Sequence, residues 1–136
     1  MIVVDTNVIA FLALPSPYTE MAEQLLLTDP DWIAPSLWRS EMRNVLALYL
    51  RKSLISFEDA LNLQAEAEAL LHDKEYDVGS LDVLTQAHQS PCSAYDCEFV
   101  ALARSFRVKL VTMDRKILDA FPDTAVRLSD VAAGAF

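Results

Sequence analysis

The first apolar run, Ile2-Val3-Val4, is β-branched and shows no polar alternation, the pattern of a strand covered on both faces in a parallel sheet. Asp5 closes it, and a short helical segment follows to about Leu14. Pro15 and Pro17 then punctuate the chain before a helix predicted over 18–27, which ends near Asp29-Pro30. Trp32-Ile33-Ala34 reads as a second strand. Pro35 and Ser36 open a long helix to about Lys52, with Ser36 as its N-cap. Ser56-Phe57-Glu58-Asp59 is a capping-box start for an alanine- and leucine-rich helix reaching about His72. Tyr76-Asp77-Val78 makes a brief third strand and 81–89 a helix that stops before Ser90-Pro91. Ser93-Ala94-Tyr95-Asp96 is a second capping box, opening a helix to about Phe106. Residues 109–112 form a strand, a short helix runs from Asp114 to about Ala120, and 125–128 form a last strand after Pro122. Short apolar strands alternating with helices predict an α/β sandwich around a central, mainly parallel sheet, and no repeat or linker divides the chain, so 1–136 is read as one domain.

Composition narrows the function. The 136 residues are 53% apolar, and a chain of this length buries about 68% of its unfolded surface, enough for a core without covalent staples. Cys92 and Cys97 are therefore read as reduced, small apolar residues. Their spacing from each other and from His72 and His88 matches no paired zinc-ligand pattern. No Lys or Arg precedes Arg39, and the longest early apolar stretch, 8–14, falls far short of the roughly 20 residues that a membrane span needs. A cytoplasmic protein is expected. The two glycines, Gly79 and Gly134, stand far from any strand-to-helix turn, which excludes GxGxxG and P-loop nucleotide binding. A net charge of −9 argues against coating nucleic acid by bulk charge but leaves room for a local basic groove.

The informative residues are acids at predicted strand ends, where ligands of parallel sheets bind. Asp5 follows the first strand, Asp114 stands two residues past Thr112, and Asp96 lies in the first turn of the helix leading to that strand. Each has a bland reading as a helix cap. Glu41 does not, because it sits within the long helix on the stripe Leu37, Glu41, Val45, Leu48, read here as core-facing, with Asn44 one turn on. A buried unpaired carboxylate costs several kcal/mol at least unless a cation compensates; an ion pair to Arg39 or Arg43 is the structural alternative. Four carboxylates without sulfur or imidazole point to a hard cation, Mg²⁺ or Mn²⁺, whose usual substrate is a phosphate. Residues 39–52 carry net charge +3 and 104–116 carry +4, while the rest carries −16. Nine of eleven cations, Arg43, Arg115 and Lys116 among them, thus adjoin the proposed ligands, as expected if they position a phosphate backbone.

Ile2-Val3-Val4-Asp5-Thr6-Asn7, Ser40-Glu41 with Asn44, the block from Tyr95-Asp96 to Ala103, and Leu110-Val111-Thr112-Met113-Asp114-Arg115-Lys116 together resemble a PIN-domain protein of the VapC type, the toxin of bacterial toxin–antitoxin pairs. The resemblance covers essentially the whole chain. It implies a PIN-like α/β/α sandwich, metal-binding acids at Asp5, Glu41, Asp96 and Asp114, and a supporting hydroxyl at Thr112. It further implies a metal-dependent endoribonuclease, a homodimer, and a small antitoxin partner whose tail blocks the active site. Thr6, Asn7 and Asn44 are expected to support the acids rather than bind metal. Glu98, two residues from Asp96 on a helix, is left out of the set. Metal-activated water would leave a 5′-phosphate and a 3′-hydroxyl. His72 and His88 lie outside the site segments, which argues against imidazole acid–base cleavage. Asn7 stands where a haloacid-dehalogenase-type phosphoaspartyl enzyme would need its second acid, and no receiver-domain acceptor exists. The remaining rivals are an inactive PIN-like partner-binding scaffold and a nuclease that acts on DNA.

Overall fold

The computed structural model describes residues 1–132; Gly134 lies outside them. In chain order the elements are β1 (Ile2–Val4), α1 (Thr6–Ala13), α2 (Thr19–Thr28), β2 (Trp32–Pro35), α3 (Trp38–Arg51), α4 (Phe57–Leu70), β3 (Glu75–Tyr76), α5 (Ser80–His88), α6 (Ala94–Phe106), β4 (Leu110–Thr112), α7 (Arg115–Ala120), β5 (Ala125–Arg127) and α8 (Leu128–Ala132). The strands form one sheet in the order β3-β2-β1-β4-β5, and every pairing is parallel. β1 is central, and its three side chains are at most 1% exposed, as its unbroken apolar run requires.

Right-handed crossovers place α1–α4 on one face and α5–α7 on the other. The packing follows: α6 lies across β1, β2 and β4 with α5 along it, whereas α1 packs on α2, α3 and α4, and α8 returns against α2. Buried apolar side chains from both layers form one continuous core.

Pro35 fits at the end of β2 because Ala34 and Ser36 donate their amides to Lys74 and Tyr76 of the β3 segment. The proline nitrogen faces the other side, beyond the end of β1, so no ladder bond is lost. Ser36 is not the cap of the long helix. That helix starts one residue later behind Leu37, which is already αR and makes no side-chain cap bond, while the Ser36 hydroxyl donates to Asp77 at 3.1 Å. The start of α3 is instead pinned from outside. The Arg39 guanidinium donates to both carboxylate oxygens of Glu75, at 2.6 and 2.7 Å, and to Glu68 at 2.9 Å, and the Trp38 indole joins at Glu75, 2.7 Å away. The predicted stripe on α3 is rotated as well: Trp38, Met42 and Leu46 are buried, whereas Leu48 is 46% exposed.

The capping box at Ser56 forms in both directions with Asp59. At Ser93 the hydroxyl accepts from the Asp96 amide at 3.1 Å, and the Asp96 side chain faces the cleft described below. The third strand is shorter and begins earlier than predicted, at Glu75. The last strand ends at Arg127, and Leu128 opens α8, a five-residue helix that the pattern did not announce.

Candidate active site

The chain leaves β1 toward β2 and β3 on one side and reaches β4 and β5 on the other. The crevice beyond the carboxyl ends of β1 and β4 is thus the switch point at which parallel α/β sheets bind ligands. Asp5 is the residue after β1 and the N-cap of α1, its side chain accepting the Thr6 amide. Asp114 follows β4 and caps α7, its Oδ1 accepting from the Lys116 and Ile117 amides at 2.8 and 3.2 Å. Asp96 enters from the first turn of α6. Glu41 enters from α3 on the edge that the outward turn of the stripe provides, with Leu37 and Val45. These four acids, with Thr6, Asn7, Ser40, Asn44 and Tyr95, line an open cleft of about 480 Å³.

Thr112 is the pivot. Fully buried, its hydroxyl donates to Asp5 Oδ2 at 2.7 Å and accepts from the Asp114 amide at 2.9 Å and from Asn7 Nδ2 at 3.3 Å. Asn7 also reaches Asp5 at 3.4 Å and accepts the Met113 amide. Asp5 Oδ1 accepts the Thr6 amide at 2.8 Å. The Thr6 hydroxyl turns the other way and donates to Glu41 Oε1 at 2.7 Å. Neither Arg39 nor Arg43 pairs with Glu41 among the described residues, so the ion-pair alternative for that acid is not realised.

The electrostatics are those of carboxylates buried close together. Burial dominates at Asp5 and pushes its carboxyl up to about 7, against the pull of its bonds to Thr112 and Thr6 and with the charges of Glu41 and Asp96 adding to the rise. Burial also raises Glu41, opposed by the Thr6 hydroxyl and assisted by Asp96 and Glu98. Asp96 is raised by burial and by Asp114, and lowered by Ser93 and Lys116. The donors fit a hard divalent cation in chemistry, since all are oxygens, and Asp5, Glu41 and Asp96 are held less acidic than in water. They surround the cleft without closing on one point: among the described residues no three His, Cys, Asp or Glu side chains are grouped to hold a metal ion.

A model of the PIN domain family matches residues 2–123. The chain belongs to the PIN-domain family. Among curated proteins this PIN domain is 29% identical over 124 residues to Ribonuclease VapC3 of Pyrobaculum aerophilum, covering 89% of this chain and 95% of that one. Two solved structures share the fold at 20% identity. PAE2754 from Pyrobaculum aerophilum has a TM-score of 0.76 over 98% of this chain and 94% of its own. FitAcB from Neisseria gonorrhoeae has 0.70 over 95% and 99%.

The cations divide. Arg39 is consumed in the Glu75 and Glu68 network, Arg104 donates to Asp123, Thr124 and Gln86, and Lys109 to the Asp123 carbonyl. Segregation of charge along the chain therefore overstates the basic surface near the cleft. Arg43, Arg115 and Lys116 are exposed and lie outside the lining; Lys116 alone is close enough to pull on Asp96. Ser40 and Tyr95 line the cleft and were not singled out, although Ser40 precedes Glu41 and Tyr95 precedes Asp96 in the quoted blocks. Glu98 stands within electrostatic reach of Glu41 but not in the lining. Among the described residues no helix is long and apolar enough to cross a membrane.

Proposed function

We propose that this PIN domain is a divalent-cation-dependent endoribonuclease, the toxin of a toxin–antitoxin pair. The observation that carries the reading is the meeting of Asp5, Glu41, Asp96 and Asp114, from four separate segments, in one cleft at the switch point. The name of the curated relative, a VapC ribonuclease, supports the activity. Asp5, Glu41, Asp96 and Asp114 would hold Mg²⁺ or Mn²⁺, which when bound supplies activation of water and neutralisation of phosphate charge.

The chain's own residues do the positioning. Thr112 and the Thr6 amide fix both oxygens of Asp5, Thr6 Oγ1 fixes Glu41, and Asn7 braces Asp5 against the segment after β4. Asn44 stands on the α3 wall where a ribose or base edge passes. Arg43, Arg115 and Lys116 offer cations to the backbone on either side. Leu81 and Leu84 on α5, and Leu54, Phe57 and Leu61 around the start of α4, are exposed, which suits a second copy of the chain and an apolar antitoxin segment; light scattering at twice the chain mass checks the dimer.

Cleavage of a structured RNA by purified protein is the test, with Mg²⁺ or Mn²⁺, with EDTA, with a DNA of the same sequence, and with a folded Asp5→Asn variant. Loss of cleavage both on chelation and in the variant is expected. Equal behaviour of the two proteins sinks the carboxylate site and favours a partner-binding scaffold, and preferential cutting of the DNA replaces the substrate.

A further inference from the structure

Beside the cleft lies a second open groove of about 630 Å³, lined by Pro91, Arg115, Lys116, Asp119 and Ala120 and mostly apolar in surface. Its far wall is one face of α7. The helix buries Ile117 completely, which turns residues 115, 116, 119 and 120 outward together. The near wall is Pro91, two residues before the Ser93 cap that opens the helix bearing Asp96. Cleft and groove are linked along the chain, since Asp114 lines the one and Arg115 and Lys116 the other, and Cys92, next to Pro91, lies with its Sγ 3.6 Å from the Lys116 carbonyl.

Arg115 and Lys116 are poor choices for stability. They occupy the first two positions of α7, where the helix dipole favours acids and disfavours cations. The described residues provide neither with a salt bridge. Two cations at the wrong end of a helix, flanking an apolar floor and adjoining a carboxylate cleft, match a nucleotide: cations for its phosphate, Pro91 and Ala120 for its sugar or base face, and Asp119 to accept from a base amine or hydroxyl.

We infer that this groove binds an RNA nucleotide next to the scissile one, so that the strand leaves the cleft over Asp114 and along α7. The assignment rests on the ribonuclease reading and adds the side on which the strand runs and the residues that hold it.

The experiment measures binding of single-stranded oligoribonucleotides of about four and about eight nucleotides to the folded Asp5→Asn chain in Mg²⁺, with and without Arg115→Ala and Lys116→Ala together. The double substitution is expected to weaken the longer RNA about tenfold or more, to flatten its salt dependence by one to two phosphate contacts, and to leave the shorter RNA within about twofold. The thermal midpoint should stay the same or rise, which a merely structural role for these cations does not produce. Binding of the longer RNA that the double substitution leaves unchanged, or no binding at all, overturns the groove. If the double substitution abolishes the length preference while the parent chain cuts no RNA, the groove stands and the nuclease reading falls. If the parent cuts RNA and the substituted chain binds it as before, the nuclease reading stands without the groove.

Discussion

At the scale of single residues the site works against the fold. Asp5 has a folded-state carboxyl near 7, mainly through burial, against 3.8 for the ordinary side chain. The folded protein thus holds this proton more tightly than the unfolded chain. The ionised carboxylate costs nothing below about pH 3.8, costs progressively more up to about pH 7, and costs a constant amount, about 4 kcal/mol at most, above it. Asp5→Asn is therefore expected to be inactive yet more stable than the parent, with a gap that opens from pH 4 to pH 7 and then levels off, in urea unfolding with a chelator present. A gap that shrinks as pH rises over that interval contradicts the assignment. The acids at strand ends were legible in the sequence because a carboxylate that ends an apolar strand has few other places to go. Glu41 was legible for a partly mistaken reason. It stood out as a charge on a core stripe, but the true core stripe is Trp38, Met42 and Leu46, and Glu41 faces the cleft edge instead. The hub role of Thr112 showed only as a hydroxyl before Asp114; two of its three partners, Asp5 and Asn7, come from packing that no local pattern encodes.

Among the elements, α3 decides where Glu41 sits, and α3 is held by side chains far away in sequence. Glu75 lies on a two-residue edge strand and carries the Arg39 guanidinium and the Trp38 indole. Its carboxyl is held low by Arg39 first, against burial, and then by Trp38. A depressed folded value means stability that is present above the ordinary Glu range and is lost as pH falls through the folded value. Glu75→Ala is accordingly expected to lose about 1–3 kcal/mol at neutral pH, because the buried indole is left without an acceptor, and to converge with the parent under acid. Thermal unfolding at pH 7 and pH 3 checks both parts. This network was not legible. Arg39 looked like one more cation near the acids, and only the fold shows that β3 brings Glu75 beneath it. The displaced start of α3 has the same origin, since Ser36 finds Asp77 across the sheet rather than the helix amides. α8 escaped notice because it begins directly after β5, without the glycine or proline that marks other boundaries.

At the scale of the molecule, strand order and charge act together. A parallel sheet with β1 in the middle has one switch point; Asp5 and Asp114 stand just past the strand ends that open onto it, and Asp96 joins them from the first turn of α6. The alternation of short apolar strands with helices made that architecture readable from the sequence. Crowding acids in a protein of net charge −9 predicts that Mg²⁺ or Mn²⁺ stabilises the fold, by about 2.7 kcal/mol at a hundred times its Kd. The gain should appear as a raised thermal midpoint, and Glu41→Gln combined with Asp96→Asn should remove it; an equal rise in that variant places the cation elsewhere. The bond from Thr112 to Asp5 spans 107 positions in the chain, and this has a consequence for the order of synthesis. Asp5 is translated 107 positions ahead of Thr112, so its Oδ1 has the neighbouring Thr6 amide early while its Oδ2 lacks the Thr112 hydroxyl until β4 has emerged and docked beside β1. A chain that stops before Leu110 carries Asp5, Glu41 and Asp96 but neither Thr112 nor Asp114. On the ribonuclease function proposed above, a nascent chain is thus expected to be inert until β4 has docked, and a copy aborted before Leu110 to stay so.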